Sequence, residues 1–324
     1  MPPVVRPLLR RPRLASCGAA LLYLVLALGF TPFGGAHRVE AAGSCPAELL
    51  RSGEGTLTVL QGNLWMLPYR PLLIPRSFAT DRRSRMERFV ALVGACRPDV
   101  IALQEVFESS VVRSLDRALP DYRVHTSGAR DALGSVNRSG LVTLTRVPAR
   151  AGSHHPFGAL PAEARLIERL GRKGFLVTEV AARGIHLTLV NTHLFSAQSA
   201  AEEVWSFAQL AELEAFVRGA RDEGRTVAVV GDFNLEPAQI APRLGARWRI
   251  SDTGPTYDPV LNPYTGQGAN QAEAHADPRV AASGRRTIDL LALSSPLNVE
   301  LRSGVLERPF VSDHQFVAHR IARR

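Results

Sequence analysis

Carboxylates, amides and histidines recur in this 324-residue chain at Asn63, Glu105, Asn191 with His193, Asp232 with Asn234, Asp289, and Asp313 with His314. Each follows an apolar β-like run or, for Asp289 within Ile288–Leu293, interrupts one. Such a set is rich in oxygen donors and contains no cysteine, which suits Mg²⁺, Mn²⁺ or Ca²⁺ better than zinc. Hydrolytic attack by water needs developing negative charge neutralised, which a divalent ion does. It also needs a proton moved, which a histidine with an aspartate partner does. Taken singly, these residues have ordinary readings: a solvated Glu after a strand, a turn at Asp232-Phe233-Asn234, a loop cap at Asp313-His314. Asp289 is the stronger signal, because an ionised group inside an apolar run needs a partner and a nearby histidine is the natural one.

The elements that must carry these residues follow from periodicity. Leu57–Gln61 alternates like a strand, Arg82–Ala95 has helical spacing at Met86, Phe89, Val90 and Val93, and Val100–Leu103 is a short apolar strand that delivers Gln104-Glu105. Strands are predicted again at 140–145, 175–180, 186–190, 227–230, 288–293 and 315–321, with a helix over 201–218. Hairpin-like pairs mixed with strand-helix-strand units indicate an α/β protein with mixed sheets, and strand ends in such folds converge on one rim. No internal repeat is visible, and residues 55–324 read as one domain after a linker at 42–54. Two polar stretches, 127–139 and 252–287, are long enough to be functional loops. Leu64–Pro75 is apolar but interrupted by three prolines, which makes it a candidate lipid contact through Trp65, Leu67, Leu72 and Leu73.

Composition excludes disorder and fibres: hydrophobic residues make up 45% and charged residues 21%. The net charge is +9, and Lys173 is the single lysine among 39 basic residues. A basic balance suits a phosphate-bearing partner, nucleic acid or anionic membrane, but equally reflects a general preference for arginine. Residues 1–41 run from arginines through an uncharged Leu-rich segment to small residues, the order of a cleaved secretory signal, with an uncleaved membrane anchor as the alternative. Either way the remainder is expected outside the cytoplasm. Cleavage removes five Arg and one Glu, so the net charge falls to +5. Cys45 and Cys96 could pair in an oxidising compartment, or Cys96 could simply be buried.

The stretches 61–67 (QGNLWML), 99–107 (DVIALQEVF), 140–148 (GLVTLTRVP), 187–194 (LTLVNTHL), 228–238 (VAVVGDFNLEP), 287–293 (TIDLLAL) and 311–321 (VSDHQFVAHRI) together resemble the ordered motifs of the metal-dependent endonuclease/exonuclease/phosphatase superfamily. The resemblance implies a four-layer α/β sandwich, two mixed β-sheets packed face to face with helices outside, and a phosphoester hydrolase. It implies Glu105 as the principal Mg²⁺ ligand with Asn63 beside it. Asp232 and Asn234 would position the attacking water, the phosphate or a second metal ion. His314 is implied as general acid/base oriented by Asp289, with Asp313 next to the metal and phosphate, and His193 as a donor to a phosphoryl oxygen.

Lys173-Gly174-Phe175, the helix after NTHL carrying Gln209-Leu210, and Thr256–Pro259 with Asn262 are similar to features of the secreted neutral sphingomyelinase branch. Sphingomyelin at a membrane surface is therefore the expected substrate, with Lys173, Asn191, Tyr257 and Trp65 as substrate-binding candidates. A secreted divalent-metal nuclease with arginine-rich loops at 127–138 and 279–286 on a phosphate backbone is the alternative. A nonenzymatic lipid-binding module is the third reading. No protein partner is indicated, and a monomer is expected.

Overall fold

Side-chain alternation along the central strands sets the layers. The computed structural model describes residues 47–67, 81–128, 137, 139–161, 171–197, 199–258, 262, 264, 285–295 and 298–324. These lie within one compact unit, Val39–Arg324. The proposed export segment and Cys45 fall outside them, while Cys96 is buried.

One sheet contains β1 (Thr56–Met66), β2 (Val100–Val106), β3 (Arg123–Thr126), β4 (Val142–Thr145), β11 (Val299–Leu306) and β12 (Phe316–Arg323) in the order β11-β12-β1-β2-β4-β3. The other contains β5 (Ala149–Pro156), β6 (Gly174–Ala182), β7 (Ile185–His193), β8 (Thr226–Asp232), β9 (Arg249–Ile250) and β10 (Asp289–Ser294) in the order β5-β6-β7-β8-β10-β9. The helices are α1 (Ala47–Leu50), α2 (Arg82–Cys96), α3 (Ser109–Ala118), α4 (Glu203–Asp222) and α5 (Pro237–Leu244). Each sheet has a parallel pair at its centre, β1 with β2 and β7 with β8, flanked by antiparallel neighbours. Helix α2 links the first pair and α4 the second. The two sheets thus repeat one topology that the sequence does not reveal, because packing constrains only hydropathy at each position.

Leu57, Val59, Val100 and Ala102 of the first sheet meet Leu187, Leu189, Ala228, Val230, Leu291 and Leu293 of the second. The opposite faces carry Leu60, Leu64, Ile101 and Leu103 against α2 and α3, and Val190, Val227, Val229 and Leu290 against α4 and α5. The result is the expected four-layer sandwich, helix, sheet, sheet, helix. The stretch expected as a linker contributes α1, and Leu50 is buried in the first outer layer. No helix among the described residues is long and apolar enough to cross a membrane.

The layer between the sheets changes character along its length. The faces that begin with Leu57, Val100, Leu187, Ala228 and Leu293 end in Gln61 and Asn63, Gln104, Asn191 and His193, Asp232, and Asp289. At the far end sits another polar knot. Asp99, fully buried, accepts the backbone and hydroxyl of Thr58 at 3.0 Å, the Ser52 hydroxyl at 3.2 Å and Arg146 at 2.9 Å. Arg183, from the β6–β7 turn of the other sheet, grips both Asp99 oxygens at 2.8 and 3.0 Å.

His319 lies on the inner face of β12 with Nδ1 2.7 Å from the Ser303 hydroxyl, and burial pulls its imidazole down to about 3. The unfolded chain therefore binds a proton below about pH 6.5 that the native chain refuses, so native stability is lost as pH falls through that window. His319→Asn is expected to flatten the acid decline by up to ~1.4 kcal/mol per pH unit between pH 6 and 4. Urea denaturation of both proteins across that range checks this; parallel declines would refute it.

Candidate active site

Three left-handed backbone positions shape the polar end of the inter-sheet layer. Regular alternation would place Glu105 with Ile101 and Leu103 against α2. Its φ of 57° breaks the phase, so Val106 rejoins the apolar layer and the Glu105 side chain hydrogen-bonds Asn63. At the end of β1, Trp65 has φ 50° and its backbone N–H donates to Asn63 Oδ1 at 2.9 Å. After β8, Asn234 has φ 50°, its N–H donates to Asp232 Oδ1 at 3.0 Å, and its Nδ2 donates to the Leu194 carbonyl at 3.1 Å. Non-glycine residues rarely adopt this region, and such strain collects where side-chain aim matters. Gly231 is required before Asp232, because a Cβ there would lie 2.0 Å from the Thr192 carbonyl oxygen.

The predicted residues converge. Asp232 is in register with His193 on one side and Asp289 on the other. Its Oδ2 accepts Asn63 Nδ2 at 3.2 Å and lies 3.5 Å from His193 Nε2 and 3.9 Å from His314 Nδ1. His314 Nδ1 bonds Asp289 Oδ2 at 2.8 Å. Lys173 Nζ donates to His193 Nε2 at 3.1 Å and to the Leu194 carbonyl at 3.0 Å. Asp313 accepts the Ser312 hydroxyl at 3.0 Å, and Tyr257 meets the His314 ring edge-on at 5.3 Å.

Burial disfavours charge in every one of these groups, and neighbours decide the outcome. Burial would lower His314, but Asp289, Asp232 and Asp313 outweigh it and raise the imidazole well above its usual value. Burial would raise Asp232, but His193, His314 and Lys173 hold it below the usual carboxylate range. His193 is pulled down to about 3 by burial and the Lys173 charge. Burial raises Asp289 and Asp313. Glu105 is pushed up to about 8 by burial, reinforced by Asp313.

Uncompensated buried oxygens of this kind fit a hard cation. Glu105 Oε2 and Asp289 Oδ1 have no hydrogen-bond partner among the described residues. Asp232, Asp289 and His314 offer ligand atoms all within 4.8 Å of one another and could hold a metal ion. This trio shares Asp232 with the expected ligand set of Glu105, Asn63, Asp232 and Asn234. It also includes the pair expected to handle protons.

Two candidates lie elsewhere. Asn191, expected at the substrate, is fully buried: Nδ2 donates to the Leu103 and Val142 carbonyls at 3.1 and 3.0 Å, and Oδ1 accepts Gln104 at 2.7 Å. It sits one alternation deeper than His193 and ties the sheets together. Trp65, expected to contact lipid or substrate, is buried with the Arg85 guanidinium 4.9 Å from its ring centroid. Leu64 is buried as well, Leu67 is half-buried, and Leu72 and Leu73 lie outside the described residues.

Thr256 was read only as part of a loop motif, yet its hydroxyl accepts the Ile288 and Asp289 N–H groups at 3.1 Å. Its carbonyl accepts Gln315 N–H at 2.7 Å, so it joins the start of β10, which carries Asp289, to the segment before β12, which carries His314. Of the arginines expected along a nucleic-acid backbone, Arg285 is half exposed and pairs with Asp258 at 3.1 Å, and Arg286 donates to the Asn234 carbonyl at 3.0 Å.

Solved structures share this fold. Sphingomyelinase C from Streptomyces griseocarneus is 18% identical with a TM-score of 0.64, over 82% of this chain and 98% of that one. A truncated Caenorhabditis elegans TDP2 is 19% identical with a TM-score of 0.60, over 82% and 98%. A Staphylococcus aureus beta toxin mutant with bound magnesium ions is 15% identical with a TM-score of 0.60, over 83% and 99%. No curated protein matches by sequence. The Endonuclease/Exonuclease/phosphatase family model matches residues 60–314, most of the chain and every residue of the site from Asn63 to His314, and the chain belongs to that family.

Proposed function

We propose that the protein is an exported, Mg²⁺-dependent phosphodiesterase that hydrolyses sphingomyelin to ceramide and phosphocholine at a membrane surface. The observation that carries the reading is the His314 ring held by Asp289 at 2.8 Å, beside the Asp232 carboxylate and the only lysine of the chain; the surrounding carboxylates raise the imidazole. Likeness to sphingomyelinase C favours the lipid.

Glu105, Asp313 and Asp232 have the oxygens to hold the ion, with Asn63 anchoring Glu105 and Asp232. When bound, Mg²⁺ neutralises the phosphoryl oxygens. Asp289 fixes the His314 tautomer at Nδ1, so Nε2 carries the proton that passes to the leaving oxygen as the P–O bond breaks. Asp232 and Asn234 orient the attacking water, and the ionised Asp232 carboxylate accepts its proton as the new P–O bond forms. Lysine can only donate, so its bond makes His193 Nε2 an acceptor and assigns the proton of the neutral ring to Nδ1.

The test is phosphocholine release from sphingomyelin vesicles by the full-length protein, with Mg²⁺ or EDTA and a plasmid-DNA control. Release in Mg²⁺ that EDTA abolishes, with intact DNA, is the expected result. DNA cleavage without lipid turnover would replace the lipid by nucleic acid on the same site. Sequencing the N-terminus of protein recovered from the medium tests export and cleavage near residue 41.

A further inference from the structure

Helix α2 carries an arginine, Arg85, that is wholly buried. Its apolar neighbours Phe89, Leu92 and Val93 pack against the first sheet, while its guanidinium reaches past that layer to the ends of two chain segments. Nη1 donates to the Leu64 carbonyl at 2.9 Å and to the Val311 carbonyl at 3.1 Å, and Nη2 donates to the Trp65 carbonyl at 3.0 Å. Successive carbonyls of a regular strand point to opposite sides, so one group can take Leu64 and Trp65 together only where the strand breaks. The left-handed backbone of Trp65 is that break, and the guanidinium Cζ lies 4.9 Å from the Trp65 ring centroid.

Both gripped segments lead into the site. Leu64 and Trp65 directly follow Asn63, whose Oδ1 is held by the Trp65 N–H. Val311 precedes Ser312, Asp313 and His314. Arg85 and Asp313 also act on each other electrostatically, which offsets part of the cost of burying both. Burial pulls the Arg85 guanidinium down to about 10, so a chain that keeps it there gains something other than a solvated charge.

We propose that Arg85 is a positioning residue: through the carbonyls of Leu64, Trp65 and Val311 it sets the spacing between Asn63 and the Asp313-His314 segment, and so the geometry in which Glu105 and Asp232, anchored by Asn63, and Asp313 receive a divalent cation. The proposal rests on the metal-assisted reading of the site. A planar fork with donors on two nitrogens is needed to hold three carbonyls at once, and a lysine ammonium at the same position cannot span them.

Arg88, one turn further along α2, provides the control. Its Nε donates to the Phe310 carbonyl at 3.0 Å and its Nη2 to the Tyr264 hydroxyl at 2.5 Å, so it holds the same loop without touching the β1 end.

The experiment compares full-length wild type, Arg85→Lys and Arg88→Met by Mn²⁺ titration calorimetry, thermal melting and hydrolysis of bis(4-nitrophenyl) phosphate. Arg85→Lys is expected to bind Mn²⁺ at least tenfold more weakly and to lose at least thirtyfold in kcat with KM within threefold. Arg88→Met should stay within threefold of wild type in both, even with a similar loss of Tm. Wild-type Mn²⁺ affinity in Arg85→Lys, or losses in both variants that track Tm alone, overturns the role. If Arg85→Lys does not fold, Arg85→Gln is measured the same way. Failure of both to fold while Arg88→Met folds assigns Arg85 to core stability only and also overturns the proposal. A wild type that neither binds Mn²⁺ nor cleaves the diester overturns the metal-assisted reading itself, which separates the two failures.

Discussion

His314→Ala should lower kcat for phosphodiester hydrolysis about a thousandfold while leaving the fold intact, the range expected when a positioned general acid is removed. That factor corresponds to about 4 kcal/mol of transition-state stabilisation. The physical reason is that His314 is held as an imidazolium by Asp289 at 2.8 Å, with Asp232 and Asp313 reinforcing the charge. A donor whose folded pKa is raised stays competent through neutral pH and is lost only as pH rises through that folded value. The wild-type rate should therefore fall on the alkaline side, and the residual rate of His314→Ala should lack that limb. Glu105→Gln supplies the complementary result: it removes a carboxyl that burial has pushed up to about 8, so the metal-free protein melts no lower than wild type. Its activity should nevertheless demand far more Mg²⁺. Steady-state rates against pH and Mg²⁺, with melting curves for each variant, check both. A His314→Ala enzyme within fivefold of wild type would remove His314 from the chemistry.

Asp99→Ala should cost about 3 kcal/mol of unfolding free energy, toward the lower end of what breaking a buried ion pair costs. The lower end applies because Arg146 and Arg183 are 20% and 25% exposed and can turn to water once released. For a domain of this size the melting temperature should fall by roughly 5 °C. Asp99→Asn keeps one oxygen for the Thr58 N–H and hydroxyl but puts an NH2 group where the other accepted the arginines, and it leaves no cavity, so it should lose less. Because the cluster joins the sheets at the end away from His314, kcat at 20 °C should stay within twofold of wild type. Urea denaturation of the three proteins measures the first effect and the phosphodiester assay the second. A loss below 1 kcal/mol in Asp99→Ala would show that the apolar layer between the sheets needs no ionic latch.

Most of the site was legible because its residues close strands whose apolar alternation is strong. Asp289 stood out as a charge inside Ile288–Leu293, and its partner proved to be His314. Asn191 was misread although it occupies the same kind of position, after an apolar run and beside a histidine. The register of β7 on β8 places His193 level with Asp232 and leaves Asn191 one alternation deeper, level with Val230. Depth along a strand depends on pairing with a neighbour far away in sequence, and hydropathy carries no record of it. Trp65 was misread for a related reason: an apolar residue before a proline-rich loop looks exposed until Arg85 of α2 is seen against its ring. Arg85 itself could not be found, because nothing in a helical stretch rich in arginine marks the one that turns inward.

By itself, then, the sequence determined the period of each element, the alternation that sorts residues into three apolar layers, and the order in which carboxylates, amides and histidines arrive at strand ends. These are local properties, set by side-chain chemistry and spacing. Only the tertiary structure decided which of those ends share one pocket and that Glu105, Trp65 and Asn234 adopt left-handed backbones. It also decided that Lys173 bears on His193 and that Asp99 ties the sheets at the opposite end. The reason is physical: strain, register and buried-charge pairing are paid for by contacts between segments far apart in the chain, and no window of sequence contains both partners.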